Sequence, residues 1–245
     1  MASAKTITRI SPTSKGLAEC ERHYVNVHIN LARQLLPLQE SMLSYTPLRV
    51  VRQLDAAGGW HQDPQAWRFI TLRFTDAGDT VFPESNRVRL GRDHANCLRD
   101  LRRTDVAEEV VFDRLLGQTA LTSYLVELDR DWELPPAAAL VEVERVLGTL
   151  VSSAERLPGI RRITRNIVLN ETATEPLDEP GQLLTPNHLE RTDKVAYLEI
   201  VTDDALFGAG LFTDAPVAKV LWGLRGFTRS ACYEVEEVCG FDRRP

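Results

Sequence analysis

Apolar positions switch between two spacings along this chain, and the order of the switches repeats. Residues 5–10 alternate as a short strand does, with successive side chains on opposite faces. From Leu17 the spacing lengthens: Leu17, Cys20, Tyr24, Val27, Leu31 and Leu35 recur close to the 3.6-residue period of a helix. Thr13 or Ser14 offers that helix an N-cap, and Pro37, which has no N–H to donate, ends it. A valine-rich strand is expected over 48–54 and a hairpin loop over 55–64, around Gly58 and Gly59. A further strand over 67–75 carries Ile70, Leu72 and Phe74 on one face. A second helix is expected over 86–103, with Leu90, His94, Cys97, Leu98 and Leu101 as its inner stripe, and a strand over 109–116 follows. The order is βαββαβ.

The remainder runs through the same order. Residues 121–128 alternate as a strand. Pro135 and Pro136 open a helix, where a missing N–H costs nothing, and Leu140, Val143, Leu147, Leu150 and Val151 form its stripe. Strands are expected over 160–169, 195–201 and 228–238, with a long polar loop over 170–192. Asp203 and Asp204 cap a last helix, interrupted near Gly208, Gly210 and Pro216.

One βαββαβ unit gives a four-stranded antiparallel sheet with both helices on one face. Its other face is bare, and an apolar bare face must be covered. The predicted fold class is therefore α+β: two ferredoxin-like halves, residues 1–117 and 118–245, fused into an intramolecular α+β barrel in which each half covers the other. The short connection over 116–121 argues against two free domains.

Composition narrows the function classes. The chain has 245 residues and a formal net charge of -6, which disfavours a nucleic-acid partner. Two basic runs, 99–103 and 161–165, read as solvated faces. No apolar run reaches membrane-span length and no secretory leader is present, so a cytoplasmic protein with reduced thiols is expected. The four cysteines form no CxxC pair, and no P-loop, GxGxxG or GxSxG pattern occurs. No metal and no cofactor is expected, and the state is expected to be a monomer or a homodimer.

The segment ERHYVNVHINLARQLLPL, residues 21–38, resembles the first-helix signature of the EthD-like family within the dimeric α+β barrel superfamily. Tyr24, Asn26 and His28 match its aromatic and Asn-x-His positions, and Leu31-Ala32 matches its end, while the family's proline is replaced by Asn30 or Ile29. The resemblance is sharp over about twenty residues and diffuse to Leu116; the second half keeps the topology without the motif. It implies a cleft between helices and sheet, and one active cleft rather than two. Relatives include polyketide cyclases, lactone isomerases, cofactor-free monooxygenases and haem-using enzymes.

The residues themselves point the same way. His28 and Tyr24 are four apart on one helical face, so their side chains can meet. A neutral histidine is a general base, and a tyrosine can donate to a developing oxyanion. The expected catalytic set is His28, Tyr24 and His61. Trp60, Trp67 and His94 are the expected binding residues for a small apolar, aromatic or polyketide-like substrate. Cyclisation, isomerisation or decarboxylation is the first reading. A cofactor-free or haem-dependent monooxygenase is the alternative, and a binding protein without chemistry is the third. His23 is expected in solvent, and His188 in a loop that could act as a lid.

Overall fold

The computed structural model describes residues 4–12, 16–54, 58–62, 64–75, 84–115, 121–174, 186–189, 192–213 and 215–243. Its strands are β1 (Ala4–Pro12), β2 (Met42–Leu54), β3 (Trp60–His61), β4 (Arg68–Phe74), β5 (Leu98–Asp113), β6 (Thr122–Arg130), β7 (Ile160–Thr174), β8 (Pro186–His188), β9 (Lys194–Thr202), β10 (Phe227–Glu237) and β11 (Phe241–Asp242). Eight of them form an antiparallel barrel in the order β10-β6-β9-β7-β5-β1-β4-β2, closed where β10 pairs with β2. The short strands β3, β8 and β11 extend its rims.

In both arcs, β5-β1-β4-β2 and β10-β6-β9-β7, the fourth strand lies beside the first, then the third, then the second. The sequence suggested a barrel, and the structure closes one by joining the two arcs edge to edge, through β5 with β7 and β10 with β2. Closure leaves neither arc with an open row of backbone donors and acceptors, and curls both bare faces around one interior. Ile7, Phe69, Val106, Leu125, Tyr197 and Tyr233, drawn from both arcs, meet there. Charge is enclosed with them. Lys5 Nζ donates to Glu108 at 2.6 Å and to Glu199 at 2.7 Å, and Lys194 Nζ donates to Glu127 at 2.5 Å and to Asp129 at 2.6 Å.

Helices cover the outside. They are α1 (Leu17–His23), α2 (Ile29–Leu35), α3 (Glu84–His94), α4 (Pro136–Arg156), α5 (Ala205–Thr213) and α6 (Ala215–Trp222). Ile10, on the opposite face of β1 from Ile7, packs with Cys20 and Tyr24 beneath α1. α4 to α6 pack over the other arc through Val143, Leu147, Leu150, Phe212, Val217 and Leu221. Gly208 of α5 is required by close approach: a Cβ there would lie 2.2 Å from the Tyr124 ring. No helix among the described residues is long and apolar enough to cross a membrane.

Several element boundaries differ from expectation. The helix expected over 86–103 ends at His94, and the strand expected from 109 already begins at Leu98. The alternation of Leu98 with polar neighbours belongs to β5, and its apolar residues had been absorbed into a helical period. The basic run 99–103 lies on strand β5 rather than on the expected helix, and the run 161–165 lies on β7, a strand as expected. The loop expected over 170–192 is strand at 170–174 and again at 186–188. Its remainder, 175–185 and 190–191, lies outside the described residues, as do the caps Thr13 and Ser14 and the linker 116–120.

Candidate active site

The first helical segment is not continuous α-helix. Between α1 and α2 the backbone makes one π-turn, Tyr24–His28. This changes which residues share a face. In an α-helix at 3.6 residues per turn, positions five apart lie about 140° from each other. A π-turn, bonded i to i+5, brings such positions into line. His23 and His28 therefore point to the same acceptor. His23 Nε2 lies 2.8 Å from Asp93 Oδ1, and His28 Nδ1 lies 2.8 Å from Asp93 Oδ2. His23 is thus not free in solvent as expected. The turn also moves the buried stripe. Val27 is exposed, while His28, Ile29, Ala32 and Leu35 face inward.

Asp93 comes from the last turn of α3. Burial pushes its carboxyl up, but the hydrogen bonds from His28 and His23 outweigh that and hold it below the usual aspartate range. The His28 ring lies between Tyr24, with centroids 4.8 Å apart, and His94, at 4.9 Å. With Nδ1 committed to Asp93, Nε2 is the nitrogen left to exchange a proton. Burial, and then the proximity of His28, drives His94 down to about 3, so it is neutral at physiological pH.

Below Tyr24 the site is built from β4 and β2. The Arg68 guanidinium is fully buried and lies 4.2 Å over the Tyr24 ring. Its Nη2 donates to Glu21 Oε1 at 2.5 Å, and Trp67 Nε1 donates to Glu21 Oε2 at 3.0 Å. Trp67 meets Tyr24 edge to face, with centroids 5.4 Å apart. Arg68 Nε and Nη1 have no hydrogen-bond partner among the described residues. Each such orphan donor costs about 1–3 kcal/mol. The Tyr24 and Tyr45 hydroxyls are 3.3 Å apart. Burial is the main cause that raises both: Tyr24 goes well above the ordinary value, and Tyr45 to about 12 despite the opposing pull of Tyr24 and Arg68. Both are protonated donors at neutral pH.

Four of the six expected site residues, Tyr24, His28, Trp67 and His94, therefore gather in one cluster. Trp60 and His61 do not join it. They form β3 against Leu54 and Gln53, and Trp60 packs on Tyr124 at 5.9 Å, in the core of the other arc, with Arg52 4.7 Å over its ring. His188 lies on β8. Sequence reasoning missed Asp93, Arg68, Tyr45 and Glu21. Two of these left a signal. Arg68 shares its strand face with Ile70, Leu72 and Phe74, and Asp93 stands three residues after buried Leu90. A charge on an apolar face asks for a partner.

As metal donors, a ring nitrogen of His23, an Asp93 oxygen and Cys97 Sγ lie within 4.8 Å of one another. None of the four cysteines is in a disulfide. A separate open cleft of about 480 Å³ lies on the other arc, lined by Arg130, Trp132, Pro136, Leu140, Ile167 and Lys194 among others.

The barrel has solved counterparts. It superposes on an anthrone oxidase-like protein with TM-score 0.60 at 10% identity, covering 99% of this chain and 94% of that one. A putative monooxygenase from Fusobacterium nucleatum gives 0.56 at 7% identity over 99% and 95% of the chains. Another from Lactobacillus acidophilus gives 0.49 at 11% over 99% and 97%. At such identities the likeness to the first two is one of fold alone. No family model and no curated protein sequence matches the chain.

Proposed function

We propose that the chain is a cytoplasmic, cofactor-independent enzyme that moves protons on a small apolar carbonyl compound, aromatic or polyketide-like, and that its barrel is two fused ferredoxin-like halves, 1–117 and 118–245. The observation that carries the chemistry is the His28–Asp93 pair. A carboxylate that holds Nδ1 orients the ring and steadies the imidazolium that forms when Nε2 takes a proton. His28 Nε2 removes a proton from the carbon next to the carbonyl, and the electron pair moves onto the carbonyl oxygen. Tyr24 donates to that oxygen. Return of the proton at another carbon isomerises the compound; attack of the carbanion on a second carbonyl closes a ring. The EthD-like motif at Tyr24, Asn26 and His28 is consistent with this role.

The anthrone oxidase-like neighbour favours one second reading, in which the same carbanion reacts with molecular oxygen. A single experiment separates the two. Anthrone and 1-tetralone are incubated with the protein in heavy water, with proton NMR following exchange at the carbon next to the carbonyl and an electrode following oxygen uptake. Exchange that disappears in His28→Ala, without oxygen uptake, supports the acid/base reading. Uptake that requires His28 moves the assignment to the oxygenase. Protein-independent exchange and no uptake would sink both.

A further inference from the structure

The hydrogen-bond accounts around Arg68 do not balance, and the imbalance has a sign. The unmatched guanidinium atoms are both donors. Arg68 Nε and Nη1 are buried without an acceptor among the described residues, on a side chain that is 0% exposed. The Tyr24 and Tyr45 hydroxyls share one hydrogen bond, so whichever accepts it has its own proton still to donate. Glu21, the one carboxylate bonded to the guanidinium among the described residues, is spent on Nη2 and on the Trp67 indole. Stacking on Tyr24 does not satisfy the remaining N–H groups, because they point outward in the guanidinium plane while the ring lies against its face.

We infer that Arg68, with the Tyr24–Tyr45 hydroxyl pair, receives an anionic oxygen of the substrate. The inference rests on the proposed function only for the position of these donors beside His28, and it names the substrate class: a planar aromatic compound bearing a carboxylate or an ionised phenol or enol. Arg68 lies against Tyr24, and Tyr24 against His28, so a ligand anchored there would present its adjacent carbon toward the imidazole. Trp67, edge-on to Tyr24 and 5.3 Å from the guanidinium, supplies aromatic surface beside the anchor. Glu21 is the partly exposed member of the group.

The test is binding, measured by titration calorimetry with 1-naphthoate, 1-naphthol and the neutral isostere 1-naphthamide. No turnover is needed, so the result stands apart from that of the proton-transfer experiment. Naphthoate or ionised naphthol is expected to bind at least tenfold more tightly than naphthamide. Which of the two anions binds better distinguishes carboxylate from phenolate recognition. Arg68→Gln should cut anion affinity by tenfold or more and leave naphthamide within threefold. If that variant does not fold, Tyr45→Phe, which removes one donor and almost no volume, should weaken anion binding severalfold. Equal binding of anion and amide, no binding of any probe, or undiminished anion binding in whichever of these variants folds would overturn the inference.

Discussion

Asp93 accepts from two histidines on one turn of helix, and this arrangement decides what each residue can do. Removing the imidazole should remove the base and little else, because His28 leaves the Cys20, Tyr24 and Ile29 packing around it in place. His28→Ala is expected to lower the turnover of an exchangeable ketone by about 10²–10⁴-fold while the melting temperature moves only a few degrees. Asp93→Asn should act through the same ring, and a pH–rate profile would show it as a displaced limb rather than a uniform loss. His94 behaves differently. Its folded value, about 3, lies below the ordinary 6.5, so the neutral form is the one the fold holds. Below about pH 6.5 the unfolded chain binds a proton that the folded chain refuses, and stability falls from there down toward pH 3. Nitrogen-15 NMR should find His94 uncharged at pH 5; a protonated signal there would contradict its burial.

At the scale of elements, the π-turn and α5 carry most of the specificity. The π-turn was not legible in the sequence, because periodicity assumes one pitch throughout. Of the expected stripe, Cys20, Tyr24 and Leu35 are buried, while Leu17 and Val27 are exposed. Deleting exposed Asn26 should restore an ordinary α-helix in which His23 and His28 stand four apart on one face, so proton-exchange activity and helical circular dichroism should both survive. On the other arc, Gly208 lets α5 lie against Tyr124. Gly208→Ala must shift that ring or the helix, and urea unfolding should report a loss of about 1–3 kcal/mol. The expected helix over 86–103 failed for a related reason. A short helix followed at once by a strand can mimic one long helical stripe, and only strand pairing with β1 and β7 separates them.

For the whole molecule the decisive feature is closure. Lys5 of the first arc reaches Glu199 of the second, and Glu108 holds both Lys5 and Arg73. Burial pushes the Glu108 carboxyl up, but Arg73 and Lys5 overcome it and bring it from 4.5 down to about 2. A lowered carboxyl value stabilises the fold above the unfolded value, so this contribution is complete above about pH 4.5 and drains away as pH falls toward 2. Because Glu108 is partly exposed, its share is about 1–2 kcal/mol after screening. Glu108→Gln should lose that amount at pH 7 and show a shallower acid limb in thermal melts. The closed ring also predicts one cooperative unfolding transition. Residues 1–117 expressed alone would expose the edges of β5 and β2, and size-exclusion chromatography should find them paired rather than monomeric.

Alternation and helical spacing were enough to set the order of strands and helices, and Tyr24 and His28 stood out because four-residue spacing and residue chemistry are local properties. The site around them was decided in three dimensions. Asp93, Arg68 and Tyr45 come from three different elements, and no local period says which charge will face which ring. Trp60 illustrates the converse: its place beside Trp67 in the chain suggested a shared cleft, yet strand β3 carries it into the other arc's core. Face-to-face or edge-to-edge joining of the arcs was equally beyond local pattern. It depends on which unpaired strand edges meet, and that is settled only when the whole ring closes.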